Sequence, residues 1–284
     1  IGRTHLQDAT PIRLGQEFSG YAAQMRIGVE RLHGALEGLT ELALGGTAVG
    51  TGINTHPEFG ARVAKELAKK TGVPFKEARN HFEAQHAKDA VVDASARIRT
   101  VAISLSKIAN DIRLMGCGPR CGIGELKLPA VQPGSSIMPG KVNPVICESA
   151  IMVSCQVIGN DAAIAAGNLG GVGSVLDLNV AMPMMADNLL ESIQLMEKAA
   201  HMFVDNLLEG LVADEKRCAE LIEGSLAMCT SLVPAIGYDK SAALAKQAYA
   251  EGKTVRQLAL EQKVLPEAEL NRLLDPRNMT KAGE

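Results

Sequence analysis

The sequence has no tryptophan, and aromatic residues make up only 3% of its 284 positions. A core must therefore be built from Ala, Leu, Ile, Val and Met. That set suits close-packed helices better than sheets, which favour β-branched and aromatic residues. An excess of positive charge is missing too: the formal net charge is −3 and no basic block occurs, which argues against a nucleic-acid surface. No run of about eighteen apolar residues is found, so no membrane span is expected. None of the cysteines, at 117, 121, 147, 155, 218 and 229, forms a Cys-x-x-Cys pair. Their spacing suggests neither zinc nor an iron–sulfur cluster, and they read as reduced thiols of a cytosol-like compartment. No signal-peptide pattern follows Ile1, and the chain reads as if it begins mid-protein. Internal repeats and low-complexity segments are also lacking. What is plentiful is apolar surface, 46% of the residues, enough for a large core in one or two domains.

That apolar surface is arranged in helical stripes. One series runs Phe18, Tyr21, Ala22, Met25, Val29, Leu32, Leu36, Leu39, Leu42. A more regular one runs Ala84, Ala87, Val91, Ala94, Ile98, Val101, Leu105, Ile108, Ile112, Met115. Spacings of three and four predict long helices, and a helix of about thirty residues spans roughly 45 Å. Helices of that length imply a bundle, and such a bundle usually recruits further chains. A third helix is expected from Pro144 to about Ala166 and a fourth from Pro183 to about Leu208. Glycine-rich connectors lie at Gly45–Asn54, Gly116–Gly134 and Gly167–Ser174. From Asp214 the pattern shortens. Thr254-Val255-Arg256-Gln257 has capping-box form, Gly252 can close a helix and Pro266 can open one. The expected organisation is all-α: a long-helix bundle over residues 1–213 and a small helical domain over 214–284.

The most informative stretch is Gly134-Ser135-Ser136-Ile137-Met138-Pro139-Gly140-Lys141-Val142-Asn143-Pro144. Its glycines and prolines favour a loop. Beyond it, Val145–Val153 is a good helical run, with Asn143 a strong N-cap type and Pro144 suited to the first helical position. A polar loop entering a helix N-terminus offers amides and partial positive charge to an anion. Lys141 adds a full charge, and Ser135 and Ser136 add hydroxyls. On residue types alone this is either an ordinary capped surface loop or an anion site.

The string as a whole resembles the GSSxMPxKxNP signature of the fumarase/aspartase superfamily. Gly2-Arg3-Thr4-His5-Leu6-Gln7-Asp8-Ala9, the Gly45–Asn54 segment, Gly118-Pro119-Arg120-Cys121-Gly122-Ile123-Gly124-Glu125 and Ile236-Gly237-Tyr238-Asp239-Lys240 resemble further blocks in the family's order, so that the likeness covers essentially the whole chain. His5, Gly140 and Cys121 resemble class II fumarases rather than aspartases. The segment Ser174–Pro183 departs from the aromatic and acidic pattern that precedes Leu-Asn-Val in that family. The resemblance implies a homotetramer with a long-helix core, fumarate and L-malate as substrates, and neither cofactor nor metal. It places the protein in the cytoplasm or the mitochondrial matrix. It implies active sites assembled from conserved blocks of different subunits. It also implies an N-terminal domain and a first conserved block that this sequence does not contain, so the chain alone is expected to be a poor catalyst.

The resemblance also implies roles for individual residues. Ser135 matches the catalytic base, acting as an activated alkoxide. Lys141 and Asn143, with Ser136 and Thr4, match residues that hold the substrate and its dianionic aci-carboxylate intermediate. His5 matches the histidine that positions or activates water on the opposite side, and Glu148 matches its partner. Glu148 stands four residues past Pro144, one turn into the same helix. A lone histidine is more often structural, and His33, His56, His81, His86 and His201 are read that way. Two other classes stay open. One is aspartase or another lyase acting on a succinyl-type substrate, from which His5 and Gly140 discriminate. The other is a non-catalytic structural protein on the same bundle, against which the intact Ser135, Lys141, Asn143, His5 and Glu148 set argues.

Overall fold

Long helices carry most of the computed structural model, which describes residues 1–134 and 137–282. In chain order they are α1 (Leu14–Leu39), α2 (Phe59–Thr71), α3 (His81–His86), α4 (Asp89–Met115), α5 (Val145–Gly167) and α6 (Met182–Phe203). The shorter α7 (Glu215–Gly224), α8 (Val233–Ile236), α9 (Tyr238–Glu251), α10 (Val255–Glu261) and α11 (Glu267–Leu273) follow. Strands are two-residue pairs only: β1 (Arg3–Thr4) with β2 (Gln7–Asp8), β3 (Glu41–Leu42) with β4 (Lys76–Glu77), β5 (Leu126–Lys127) with β8 (Val212–Ala213), and β6 (Ser174–Val175) with β7 (Leu178–Asn179). The all-α reading holds, and the four expected long helices are α1, α4, α5 and α6, the last running on through a π-turn at Val204–Leu208.

The chain forms two compact units. One comprises Ala23–Leu114 and Leu128–Leu211; the other comprises Ile1–Ala22, Met115–Lys127 and Val212–Glu284. In the first, Ile98 and Ala102 of α4 and Val157 of α5 make a buried centre, against which Leu32 of α1, Val153 of α5 and Leu189 and Met196 of α6 pack. The contact faces are rich in small residues, with Ala102, Ala109 and Ala150 fully buried. Small side chains let helix axes approach closely.

The α1 stripe differs from the expected one. Tyr21, Gly28 and Ala35 are its buried positions, one every seven residues, whereas Val29 and Leu36 are exposed. A Cβ on Gly28 would lie 3.2 Å from a Val101 methyl, so α4 uses the space that the missing side chain leaves. The helical period is right, but the intrachain face is the smaller one. The second stripe starts later than expected as well. Ala87 is extended (φ −91°, ψ 134°) and separates α3 from α4, after which Ala94, Ile98, Leu105, Ile108 and Ile112 are buried as expected.

By length and composition alone α5 could cross a membrane, with a mean hydropathy of 1.3. It is instead a core helix packed along α6 and carrying buried polar groups. The Asn160 amide donates to Glu191 (2.8 Å) and to Ser192 Oγ (3.1 Å), and Asp161 accepts from Ser95 (2.7 Å) and from Arg99.

In the other unit Leu232, Leu244, Ala248, Val255, Leu258, Leu270 and Leu274 form a separate core. The capping box at Thr254–Gln257 is present, Gly252 ends α9 in the left-handed region (φ 64°), and Pro266 precedes α11. The β5–β8 pair ties 115–127 to this unit, so residues 214–284 fold together with two distant segments.

Candidate active site

Thr4 and His5 sit on a tight hairpin. Arg3 pairs with Asp8 and Thr4 with Gln7, leaving His5 and Leu6 as a two-residue turn. Both have positive φ, 55° and 58°, as a mirror-type hairpin turn requires. Such turns favour Asn-Gly. A histidine and a leucine there each carry about 1–2 kcal/mol of strain. Thr4, His5 and Leu6 are exposed, and the imidazole has no hydrogen-bond partner among the described residues. The turn presents to solvent a ring with no partner among the described residues.

The root of this hairpin is held by a buried ion pair that the sequence reading did not single out. Arg3 Nη1 and Nη2 donate to the two oxygens of Glu125, at 2.8 and 2.9 Å. Glu125 is only 3% exposed. Burial pushes its carboxyl pKa up, but the hydrogen bonds and the charge of Arg3 oppose this, and the pKa lies below the usual carboxylate range. Its N–H donates to the Met115 carbonyl (2.9 Å) and its own carbonyl accepts from the Asp214 N–H (2.8 Å). Arg217 clasps the preceding loop through the carbonyls of Ile123 (2.9 Å) and Gly122 (3.3 Å). An acid and a base this far apart in sequence leave no local signal. Their membership of the Gly2–Ala9 and Gly118–Glu125 blocks was the available hint.

Lys141, Asn143 and Glu148 belong to the other unit. Met138-Pro139-Gly140-Lys141 has type II turn form: Pro second, Gly third with φ 81°, and the Lys141 N–H donating to the Met138 carbonyl at 3.1 Å. The loop is pinched at its base, where a Cβ on Gly134 would stand 2.4 Å from the Lys141 carbonyl oxygen. Ser135 and Ser136 lie outside the described residues. The expected cap is corrected: the capping position of α5 is Pro144 (φ −80°, ψ 54°), with no side-chain cap. The Pro144 ψ takes it out of helical geometry, so α5 starts at Val145 and the Asn143 side chain is left off the helix end. Neither the Lys141 ammonium nor the Asn143 amide has a hydrogen-bond partner among the described residues. Glu148 is half-buried in the first turn of α5, and beside it Cys147 is fully buried, its thiol pushed up to about 11 by that burial.

Two further segments are ordered around glycines and asparagine. In Gly45–Asn54, Thr47 (φ 54°) and Asn54 (φ 64°) are left-handed, and the loop is held by Gln85 donating to the Ala48 carbonyl (3.0 Å). In the departing segment, fully buried Asn179 donates to the Gly167 carbonyl (3.0 Å) and accepts from the Ala181 N–H (2.8 Å). Among the described residues no His, Cys, Asp or Glu cluster is suited to a metal ion.

The family model described as "Lyase" matches residues 1–159, and the chain belongs to that family. A second model, "Fumarase C C-terminus", matches residues 228–281. The class II fumarate hydratase of Corynebacterium efficiens is 54% identical over 280 residues, covering 96% of this chain and 59% of that protein. The mitochondrial fumarate hydratase of Rhizopus oryzae is 51% identical over 284 residues, 100% of this chain and 57% of its own length. Among solved structures, class II fumarase from Schistosoma mansoni superposes with a TM-score of 0.92 at 36% identity, over 100% of this chain and 62% of that one. A fumarate lyase:delta crystallin from Brucella melitensis gives 0.93 at 44% identity, over 99% of this chain and 60% of that one. The chain thus spans about 59% of the length of the curated relatives.

Proposed function

We propose that this chain supplies part of the active site of a class II fumarate hydratase, which adds water across the double bond of fumarate to give L-malate. The observation that carries the proposal is the loop before α5, whose Lys141 ammonium and Asn143 amide have no hydrogen-bond partner among the described residues. Groups already in place for developing negative charge are what the reaction demands.

In the dehydration direction the Ser135 alkoxide takes a proton from the carbon next to a carboxylate. That carboxylate becomes the dianionic aci-acid, held by Lys141 and Asn143, with Ser136 and Thr4 contacting the substrate. The C–O bond at the neighbouring carbon then breaks and the leaving hydroxide is protonated on the His5 side, with Glu148 fixing the imidazole tautomer. Hydration is the reverse. His5 and Ser135 belong to blocks that different subunits contribute in the family, so the site is completed between copies of the chain. Exposed Val29 and Leu36 of α1, Ile103 of α4, Met152 and Ile158 of α5 and Leu190 and Ile193 of α6 supply apolar surface for that assembly, which we propose is a homotetramer. The free cysteines suit a reducing compartment, cytoplasm or mitochondrial matrix.

The test is the loss of the fumarate double-bond absorbance, with malate formed, by the full-length protein that carries this chain. Ammonia release from aspartate with no malate turnover would overturn the assignment, as would the absence of any turnover. A monodisperse particle of 29.9 kDa for the chain in light scattering would overturn the assembly.

A further inference from the structure

We infer that Glu125, acting through Arg3, is a positioning residue for His5. The inference rests on the role given to His5 above and extends it to a carboxylate at the far end of another sequence block.

The hairpin cannot hold itself. Its ladder is two residue pairs long, extended only by the Ala9 N–H to the Gly2 carbonyl (2.7 Å) and the Gly2 N–H to the Thr10 carbonyl (3.2 Å). Two consecutive left-handed side-chain residues persist only where the surroundings over-determine them. The side chain of β1 that is anchored elsewhere is Arg3, and its anchor is buried Glu125, 122 residues away in sequence. A two-pronged guanidinium–carboxylate contact fixes orientation as well as distance. The anchor itself does not give, because the Glu125 backbone is bonded on one side to Met115 and on the other to Asp214, where α7 begins. Lys127 adds a contact to the Asp214 carboxylate at 2.8 Å. Thus β1 hangs from a rigid post, and the direction of the His5 ring follows from the tilt that the post imposes.

The experiment uses the full-length protein carrying this chain, with Glu125→Gln and Arg3→Lys. Glu125→Gln keeps the shape and removes the charge; Arg3→Lys keeps the charge and removes the fork. Each is expected to lower kcat for fumarate hydration by ~10-fold or more while KM moves by less than ~3-fold, since a small misplacement of a reacting group acts on the transition state. Amide hydrogen exchange supplies a readout independent of turnover: Glu125→Gln should speed exchange of the Arg3–Asp8 hairpin by ~10-fold or more with α5 unchanged. Parental kcat in a folded variant, a loss confined to KM, or unchanged hairpin exchange each overturns the proposal. Should Glu125→Gln fail to fold, Arg3→Lys decides. Should His5→Asn leave turnover at the parental level, the role of His5 falls, while the exchange measurement still shows whether Glu125 holds the turn.

Discussion

The hairpin at His5 is secured by its own unit, whereas the Lys141 ammonium and the Asn143 amide of the loop before α5 have no hydrogen-bond partner among the described residues. The first has a buried ion pair at its root and strain at its tip. The second has a pinched base, a type II turn and a lysine and an asparagine with no described partner. On the proposed mechanism the difference has a reason. A residue that handles a proton needs a fixed direction, which rigid support gives. Groups proposed to receive a dicarboxylate need open donors, and internal hydrogen bonds would compete with the ligand.

The largest effect should come from Ser135. In the full-length protein Ser135→Ala is expected to lower turnover by at least ~10²-fold while a dicarboxylate analogue still binds. Near-parental turnover would remove Ser135 from the mechanism. Lys141→Met comes next. It should weaken a dicarboxylate inhibitor by ~10-fold or more, because a charge-assisted contact is lost and an anion is left unpaired. Calorimetric titration giving unchanged affinity would mean that the open ammonium is only a solvated surface group.

Two glycines of the loop sharpen the comparison further. Gly134→Ala drives a Cβ into the Lys141 carbonyl and should cut turnover by ~10-fold through a displaced lysine. Gly140→Ala meets nothing within 4 Å and faces only its positive φ, a strain of about 1 kcal/mol, so turnover should stay within ~3-fold. Equal kinetic effects of the two would contradict the pinched base.

The smallest effect concerns stability of the His5 unit in acid. Glu125 has a folded pKa below its ordinary 4.5. A depressed carboxylate stabilises the fold above the unfolded value, and that contribution is lost as pH falls through the folded one. Between neutral pH and about pH 3, urea midpoints of the parent should therefore fall more steeply below about pH 4.5 than those of Glu125→Gln. Parallel curves would show that the pair adds nothing in the folded state.

Much of this was legible in residue order. The stripe from Ala94 to Ile112 was read correctly because helical period is a local property: one residue every third or fourth position faces the core whatever the partner is. The capping box at Thr254 and the glycine at 252 were equally readable, since their hydrogen bonds close within a few residues. Asn143 failed as a cap because a single backbone angle at Pro144 decided where the helix began. The loop's Lys141 and Asn143 were named from their motif, and that their side chains have no partner among the described residues became visible only in three dimensions.

By itself the sequence determined the four long helices, their approximate ends, the polar loop before α5 and the family likeness, all of which depend on neighbours along the chain. Only the tertiary structure decided that Gly28 faces α4 and that Ala35 is buried while Val29 and Leu36 are exposed, and that residues 1–22 and 115–127 join the C-terminal unit. It alone joined Arg3 to Glu125. Period and propensity are written within a few residues of each position, whereas a contact across 122 residues is set by how whole helices pack, and no local pattern encodes it.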